Sequence, residues 1–95
     1  VLARLEAEPT IKLVFLCSPN NPTGGVISRS DLERILAATA GRALVVVDEA
    51  YGDYVDQPLA LPLLGQVPHL AVLKTLSKAH GLAAARVGAL LGDPA

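Results

Sequence analysis

The chain has 95 residues and a formal net charge of −1, a length that suits one domain or part of one. The nearly neutral charge offers no basic face for nucleic acid or an anionic membrane surface, and the apolar runs are too short to cross a bilayer, so we expect neither partner. The single cysteine cannot form an internal disulfide, and no charged leader with an apolar run precedes the first strand, which favours a cytoplasmic location.

The first half of the chain predicts a strand, a structured loop and a helix. The chain contains no methionine and opens with the pattern of a helix end, so we expect an internal fragment of a longer protein. Lys12–Cys17 is a short apolar run rich in β-formers, and residues 18–25 are dense in proline, asparagine and glycine, which end strands and build turns. Ser30 to Glu33 form a capping-box pattern, and apolar residues at helical spacing continue the predicted helix to Gly41.

The second half of the chain predicts three further strands. Ala43–Val47 is an uninterrupted apolar run that ends at Asp48, as in a strand buried on both faces. His69–Leu73 is a third predicted strand, and Arg86–Leu91 is a fourth. The order strand, helix, strand implies a parallel crossover connection. The predicted fold class is therefore α/β, with part of a mostly parallel sheet covered by helices.

Three segments that follow the predicted strands carry a resemblance to a known family. They are SPNNPTG (18–24), DEAY (48–51) and TLSK (75–78), with Arg86 eight positions after Lys78. Ligands of open α/β sheets bind outside the carboxyl ends of the strands, so we expect the three segments to meet at one edge. In this order and spacing they resemble the fold-type I aminotransferases, which depend on pyridoxal 5'-phosphate (PLP), and they are most similar to the histidinol-phosphate aminotransferase branch.

This resemblance implies what the chain is part of and what it acts on. Residues 1–95 would be a fragment of the PLP-binding large domain of such an enzyme. The branch moves an amino group between histidinol phosphate and 2-oxoglutarate, so the expected partners are a small-molecule amine and an oxo acid. Family members are homodimers whose sites borrow residues across the interface, so we expect a homodimer for the full-length protein and no activity for the fragment alone.

By the same resemblance, Lys78 is the catalytic residue that binds the cofactor as a Schiff base. The chemistry needs an amine that bonds to the cofactor aldehyde, is displaced by the substrate amine and then moves a proton, and a lysine can do all three. A lone lysine after a strand is more often a solvated surface residue. Because the segments SPNNPTG and DEAY are also present, we favour the catalytic role for Lys78 here.

Three further residues are expected, by resemblance, to contact the cofactor ring. Asp48 would lie opposite the pyridine nitrogen, where a carboxylate keeps that nitrogen protonated through a charge-assisted hydrogen bond. Tyr51 and Asn21 would donate hydrogen bonds to the phenolic oxygen of the cofactor. Taken singly, Asp48 and Asn21 would more often be turn residues, and Tyr51 would equally often be a half-buried core aromatic.

Thr75, Ser77 and Arg86 resemble the phosphate clamp of the family. In such a clamp, hydroxyl groups and a guanidinium hold the phosphate dianion while the aldehyde stays free to react. The plainer alternatives are a solvent-directed side chain for Arg86 and a helix N-cap for Ser77, and the second is compatible with the clamp. Arg86 is the stronger of the three candidates because an arginine in an apolar stretch needs an anion or a route to solvent.

Other polar residues are interpreted as structural. His80 lies two positions from Lys78, but the family usually has an aromatic or variable residue there, so we expect it to line or pack. Cys17 is predicted to be a small buried hydrophobe. One cysteine and two distant histidines provide no metal-ligand spacing, so no metal site is expected.

Two other functions stay open on the sequence alone. The same cofactor supports decarboxylation or elimination, and the residues that choose among these reactions lie outside the chain. A second alternative is a regulator in which an aminotransferase-like domain binds PLP as a ligand and is fused to a DNA-binding module. A plain α/β domain with accidental motifs would require three separate motifs to coincide.

Overall fold

A single four-stranded sheet organises the computed structural model, which describes residues 1–56 and 59–94. The strands are β1 (Leu13–Cys17), β2 (Leu44–Asp48), β3 (Leu70–Thr75) and β4 (Gly88–Gly92). They are neighbours in chain order, with β1, β2 and β3 parallel and β4 antiparallel to β3. The prediction of an α/β fold with a mostly parallel sheet is therefore confirmed.

In the described residues, two α-helices accompany the sheet, α1 (Leu2–Ala7) and α2 (Arg29–Thr39). The helix after the first loop was predicted correctly, but its predicted cap at Ser30 is wrong by two residues. Ser28 is the N-cap: its backbone is extended, and its Oγ accepts a hydrogen bond from the Asp31 amide. Ser28 and Asp31 have the three-residue spacing of a capping pattern, and this pair begins the helix two residues earlier than the pair starting at Ser30 would.

The hydrophobic core lies between the two helices and one face of the sheet. Alternate residues of β1, β2 and β3 point to that face, because successive side chains of a strand point to opposite sides. Burying each such aliphatic side chain contributes roughly 1.5–3 kcal/mol. The buried cluster from strands and helices comprises Val14, Leu16, Val45, Val47, Leu70 and Val72 with Leu5, Leu32, Ile35 and Leu36.

The opposite face of the sheet is partly bare within the described residues. Leu13, Phe15, Leu44 and Leu90 have exposed side chains, and Phe15 is 63% exposed. The helices therefore cover one face of this part of the sheet, and the expected burial on both faces holds only in part: Val46 of β2 is 5% exposed, whereas Leu44 is open to solvent. Cys17, which was predicted to be buried, is exposed because it belongs to this bare face.

The fourth strand begins later than predicted. The prediction placed it at Arg86–Leu91, whereas β4 covers Gly88–Gly92. The reason is local: Ala83–Ala85 form a 3-10 turn, and Arg86 ends it in the left-handed conformation, with φ of 52°. Arg86 therefore lies in the connection before the strand and not in an apolar strand interior.

In the part of the chain that the structure describes, none of the helices could span a bilayer. The longer of the two α-helices, α2, has 11 residues, far fewer than the ~20 that a bilayer-spanning helix needs.

Candidate functional site

The carboxyl ends of the three parallel strands lie side by side at one edge of the sheet. The last residues in register are Cys17 of β1, Asp48 of β2 and Leu73 of β3. Two backbone hydrogen bonds continue this alignment past the strands, from the Ser18 amide to the Asp48 carbonyl and from the Glu49 amide to the Leu73 carbonyl, each 3.0 Å. The three polar segments thus leave the sheet at the same edge, as the sequence predicted.

The loop after β1 is closed by its own hydrogen bonds. The Asn20 amide donates to the Gly25 carbonyl at 2.8 Å, and the Gly24 amide donates to the Asn20 carbonyl at 2.7 Å. Gly24 has a φ of 71°, which favours a residue without a Cβ. The buried Ser18 Oγ accepts a hydrogen bond from the Ile27 amide at 3.0 Å. This internal bracing fixes the loop that carries Asn21.

Asn21 and Tyr51 meet across two of the segments. The Asn21 Nδ2 donates to the Tyr51 Oη at 3.3 Å, although the residues are 30 positions apart in the chain. Tyr51 is half-buried, and its ring centre lies 6.1 Å from that of Tyr54. The two residues predicted to contact the same oxygen of a ligand therefore present an amide and a phenol at one point.

Asp48 ends β2 and is half-buried. Its Oδ1 accepts a hydrogen bond from the Ala50 amide at 2.9 Å, a local turn of the kind that aspartates make. Because a carboxylate has two oxygens with several lone pairs, this turn leaves further acceptor capacity. Asp48 can therefore make this turn and still accept a hydrogen bond from a ligand.

Lys78 lies above the aromatic ring of Tyr51. Its Nζ is 5.4 Å from the ring centre, within the distance at which a cation and an aromatic face attract. The Lys78 side chain is exposed. Its loop is held by the Gly81 amide, which donates to the Lys78 carbonyl, and by the Leu82 amide, which donates to the Leu76 carbonyl, each at 3.0 Å. Lys78, Tyr51 and Asn21 thus form one continuous group.

The predicted phosphate clamp is only partly assembled. Thr75 and Ser77 are joined, since the Ser77 amide donates to the Thr75 Oγ1 at 3.1 Å. The Thr75 Oγ1 in turn donates to the Val87 carbonyl at 3.4 Å. Arg86 is exposed, and its guanidinium donates to the Ala83 carbonyl at 3.3 Å. The structure therefore brings the two hydroxyl residues together and directs Arg86 to a local backbone partner.

A charged cluster beside this group was missed by the sequence analysis. The Asp53 carboxylate lies 3.1 Å from the Lys74 Nζ and 3.5 Å from the His80 Nε2. The His80 ring thus faces the Asp53 carboxylate, where the sequence suggested a lining or packing residue. Contacts between residues 21 positions apart, as for Asp53 and Lys74, leave no signal in a single sequence. The cluster borders a cleft of about 220 Å³ that also includes Thr75 and Val87.

Glu49 is a second residue that the sequence analysis did not single out. It is 1% exposed, and its Oε1 accepts a hydrogen bond from the Ala60 amide at 2.8 Å. Its Oε2 is buried without a hydrogen-bond partner among residues 1–56 and 59–94. Across the same described part of the chain, no group of three or more His, Cys, Asp and Glu residues could hold a metal ion.

The chain is similar to known aminotransferases over nearly its whole length. It is 60% identical over 82 residues to a histidinol-phosphate aminotransferase of Xylella fastidiosa, covering 86% of this chain and 22% of that protein. A solved histidinol-phosphate aminotransferase from Sinorhizobium meliloti, in complex with pyridoxal-5'-phosphate, matches with a TM-score of 0.76 and 35% identity, covering 98% of this chain and 26% of that one. An L-threonine-O-3-phosphate decarboxylase from Porphyromonas gingivalis shares the fold, with a TM-score of 0.76 at 24% identity, covering 86% of this chain and 25% of that one.

The chain therefore spans about a quarter of the length of the relatives that it matches. The family model that matches it describes class I and II aminotransferases and extends over residues 1–95. A match of this extent is not explained by accidental motifs. The chain belongs to the aminotransferase class I and II family.

Proposed function

We propose that the full-length protein is a PLP-dependent aminotransferase that moves an amino group between histidinol phosphate and 2-oxoglutarate. The observation that carries this proposal is the group of Asn21, Tyr51 and Lys78, which presents an amide, a phenol and an amine within one small region. The names of the similar proteins from Xylella fastidiosa and Sinorhizobium meliloti support this choice of amino donor. We further propose that the protein acts in the cytoplasm as a homodimer.

The chemistry of the side chains fits the cofactor. PLP carries an aldehyde, a phenolic oxygen, a ring nitrogen and a phosphate, and each needs a different partner. The chain offers an amine at Lys78, hydrogen-bond donors at Asn21 and Tyr51, and a carboxylate at Asp48 on the same sheet edge. When bound, PLP supplies a ring that withdraws electrons from the substrate α-carbon.

In this proposal Lys78 is the catalytic residue. Its amine would hold the cofactor through the aldehyde and, when free, would accept the proton that leaves the substrate α-carbon. Tyr51 lies beside this amine, since the Lys78 Nζ is 5.4 Å from the centre of the phenol ring. The loop hydrogen bonds to the Lys78 and Leu76 carbonyls leave the side chain of Lys78 free to move between the two tasks.

The remaining residues bind and orient. Asp48 would keep a proton on the ring nitrogen through a charge-assisted hydrogen bond. Thr75 and Ser77 would donate to the phosphate, and Arg86 would add a guanidinium. To bind the phosphate, the Arg86 guanidinium would have to give up its contact with the neutral Ala83 carbonyl. A dianion would make a stronger hydrogen bond with this charged donor.

The full-length protein tests this function directly. Purified protein is supplied with PLP, histidinol phosphate and 2-oxoglutarate, and formation of glutamate and of the matching keto product is measured by mass spectrometry. The Lys78→Ala variant should lose turnover by at least about a thousandfold, because covalent catalysis is removed. The Lys12→Ala variant is the matched control, since Lys12 is exposed at the opposite end of β1.

The same assay, repeated with amino acids in place of histidinol phosphate, separates the alternatives. A decarboxylase would release carbon dioxide from an amino acid and form no glutamate from 2-oxoglutarate. A PLP-binding regulator would bind the cofactor but turn over neither substrate. Either result would overturn the proposed transamination while leaving the family assignment in place.

A further inference from the structure

We propose that Asp53 is a positioning residue that holds the loop carrying Lys78 against the turn carrying Tyr51. This inference rests on the proposed function of Lys78. Asp53 follows Tyr51 by two residues and lies in the 3-10 turn Gly52–Tyr54. Neither the sequence motifs nor the side-chain group described above includes it.

The two oxygens of the Asp53 carboxylate bind on either side of Lys78 in the chain. Oδ1 accepts a hydrogen bond from the Lys74 Nζ at 3.1 Å, and Oδ2 lies 3.5 Å from the His80 Nε2. Lys74 is near the end of β3, before the loop, and His80 is in the loop two residues after Lys78. One carboxylate therefore links the Tyr51 turn to both ends of the segment that bears the catalytic amine.

The Asp53–Lys74 pair is more shielded than the ion pairs of the helices. The side chains of Lys74 and Asp53 are 23% and 33% exposed, whereas those of Arg29 and Glu33, an ion pair on α2, are 45% and 56% exposed. Charges interact more strongly where water is partly excluded, and fully exposed pairs contribute little. The Asp53–Lys74 pair is therefore better suited than the ion pairs of the helices to hold a turn in place.

Gly52 provides the space for this pair. A Cβ at position 52 would lie 3.1 Å from the Lys74 Nζ and 3.1 Å from the Glu49 Cβ, closer than most side chains tolerate. The same Cβ position is 3.5 Å from the Glu49 Oε2, the buried oxygen that has no partner among the described residues. Gly52 thus faces both the Lys74 ammonium and the Glu49 side chain, and a larger residue at this position would displace one of them.

The turn must be held because turnover depends on where the Lys78 amine lies relative to Tyr51. The Lys78 Nζ is 5.4 Å from the Tyr51 ring centre, and displacements of about 1 Å in a reacting group can reduce turnover roughly a hundredfold. Tyr51 is on the turn that Asp53 anchors, and Lys78 is on the loop that Lys74 and His80 flank. Removing the Asp53 charge should therefore loosen the Lys78 loop and misplace its amine without touching a substrate contact.

The first test uses hydrogen exchange in the cofactor-free, full-length protein. In Asp53→Asn, which keeps the side-chain shape and removes the charge, the amides of Gly81 and Leu82 should exchange about 3- to 10-fold faster, because these amides close the Lys78 loop. Lys74→Gln, which removes the other charge of the pair, should have the same effect. Exchange in α2 should stay unchanged in both variants.

Glu33→Gln is the matched control, since it removes the charge of an exposed pair with Arg29 on α2 and should leave the Lys78 loop unchanged. Exchange at Gly81 and Leu82 that is the same in Asp53→Asn as in Glu33→Gln would overturn the inference. So would a uniform increase throughout the chain, which would indicate general destabilisation. Because this measurement needs neither cofactor nor substrate, its failure is distinguishable from a failure of the proposed function.

The second test separates positioning from substrate binding in the PLP-loaded enzyme. Asp53→Asn should lower kcat about tenfold and leave KM for the amino donor nearly unchanged, because the residue acts only through Lys78. A variant with unchanged kcat, or with a raised KM alone, would contradict the positioning role.

Discussion

The Asn21 amide nitrogen lies 3.3 Å from the Tyr51 phenolic oxygen, across 30 positions of the chain. The contact exists because parallel β1 and β2 end in register, with Cys17 opposite Asp48, so that the loops which follow them emerge together. It joins two of the three segments that carry the family resemblance. The pair can therefore be tested as a unit.

We expect Tyr51→Phe and Asn21→Ala each to weaken PLP binding about 3- to 10-fold in the full-length protein, since a typical hydrogen bond contributes about 0.5–1.5 kcal/mol. The double variant should lose less than the product of the two single effects, because the side chains share a hydrogen bond. PLP dissociation constants of the two single variants and the double variant, from fluorescence titration, measure these effects. Independent effects of the two substitutions would mean that the contact between Asn21 and Tyr51 contributes nothing to PLP binding.

Asp48→Asn separates the two roles of this carboxylate. The asparagine side-chain oxygen can still accept the hydrogen bond from the Ala50 amide, so the turn should persist and the melting temperature should change little. Loss of the charge-assisted hydrogen bond should nevertheless reduce kcat at least about a hundredfold, if that bond contributes ~3 kcal/mol more to the transition state than its neutral substitute. Steady-state kinetics and thermal unfolding of the same preparation provide the comparison, and a variant with wild-type kcat would remove Asp48 from the site.

Two substitutions of the buried Glu49 should differ in how much they lower the free energy of unfolding. Glu49→Ala leaves the Ala60 amide, which is fully buried, without its acceptor, and we expect it to lower the free energy of unfolding by about 2–4 kcal/mol. Glu49→Gln retains an acceptor oxygen and should cost less than about 1 kcal/mol. Urea unfolding of the cofactor-free protein checks both. Equal losses would show that the charge of Glu49, and not its hydrogen bond, stabilises this turn.

The start of α2 offers a test with a matched pair of serines. Ser28 is the N-cap and accepts from the Asp31 amide, whereas Ser30 lies inside the helix. Ser28→Ala should destabilise the protein by about 1 kcal/mol, and Ser30→Ala should change its stability by less than about 0.5 kcal/mol. Thermal unfolding of the two variants measures the difference. The reverse order would favour the cap that the sequence pattern suggested.

The four strands could be located along the sequence because apolar runs such as Ala43–Val47 are distinct from the polar loops around them. Their edges were less accurate. Asp48 and Thr75 belong to strands β2 and β3 although their side chains are polar, since ladder hydrogen bonds depend on the backbone and not on hydropathy. Arg86 was misplaced for a related reason, because its left-handed conformation cannot be inferred from an apolar context.

The candidate site was predictable to the extent that its residues belong to contiguous motifs. Asn21, Tyr51 and Lys78 come from three such motifs and lie together in the structure. The cluster of Asp53, Lys74 and His80 was not predictable, because each of its members is an ordinary charged residue until the fold brings it to the others. Single sequences encode local patterns well and long-range pairing poorly.

Borohydride reduction tests most directly whether Lys78 holds PLP, because reduction makes the bond between a lysine and PLP permanent. The full-length protein is incubated with PLP, reduced and mapped by peptide mass spectrometry. We predict a single pyridoxyl adduct on Lys78, and none in Lys78→Ala. Absence of an adduct, or label spread over Lys12, Lys74 and Lys78, would contradict the assignment of Lys78 as the catalytic lysine.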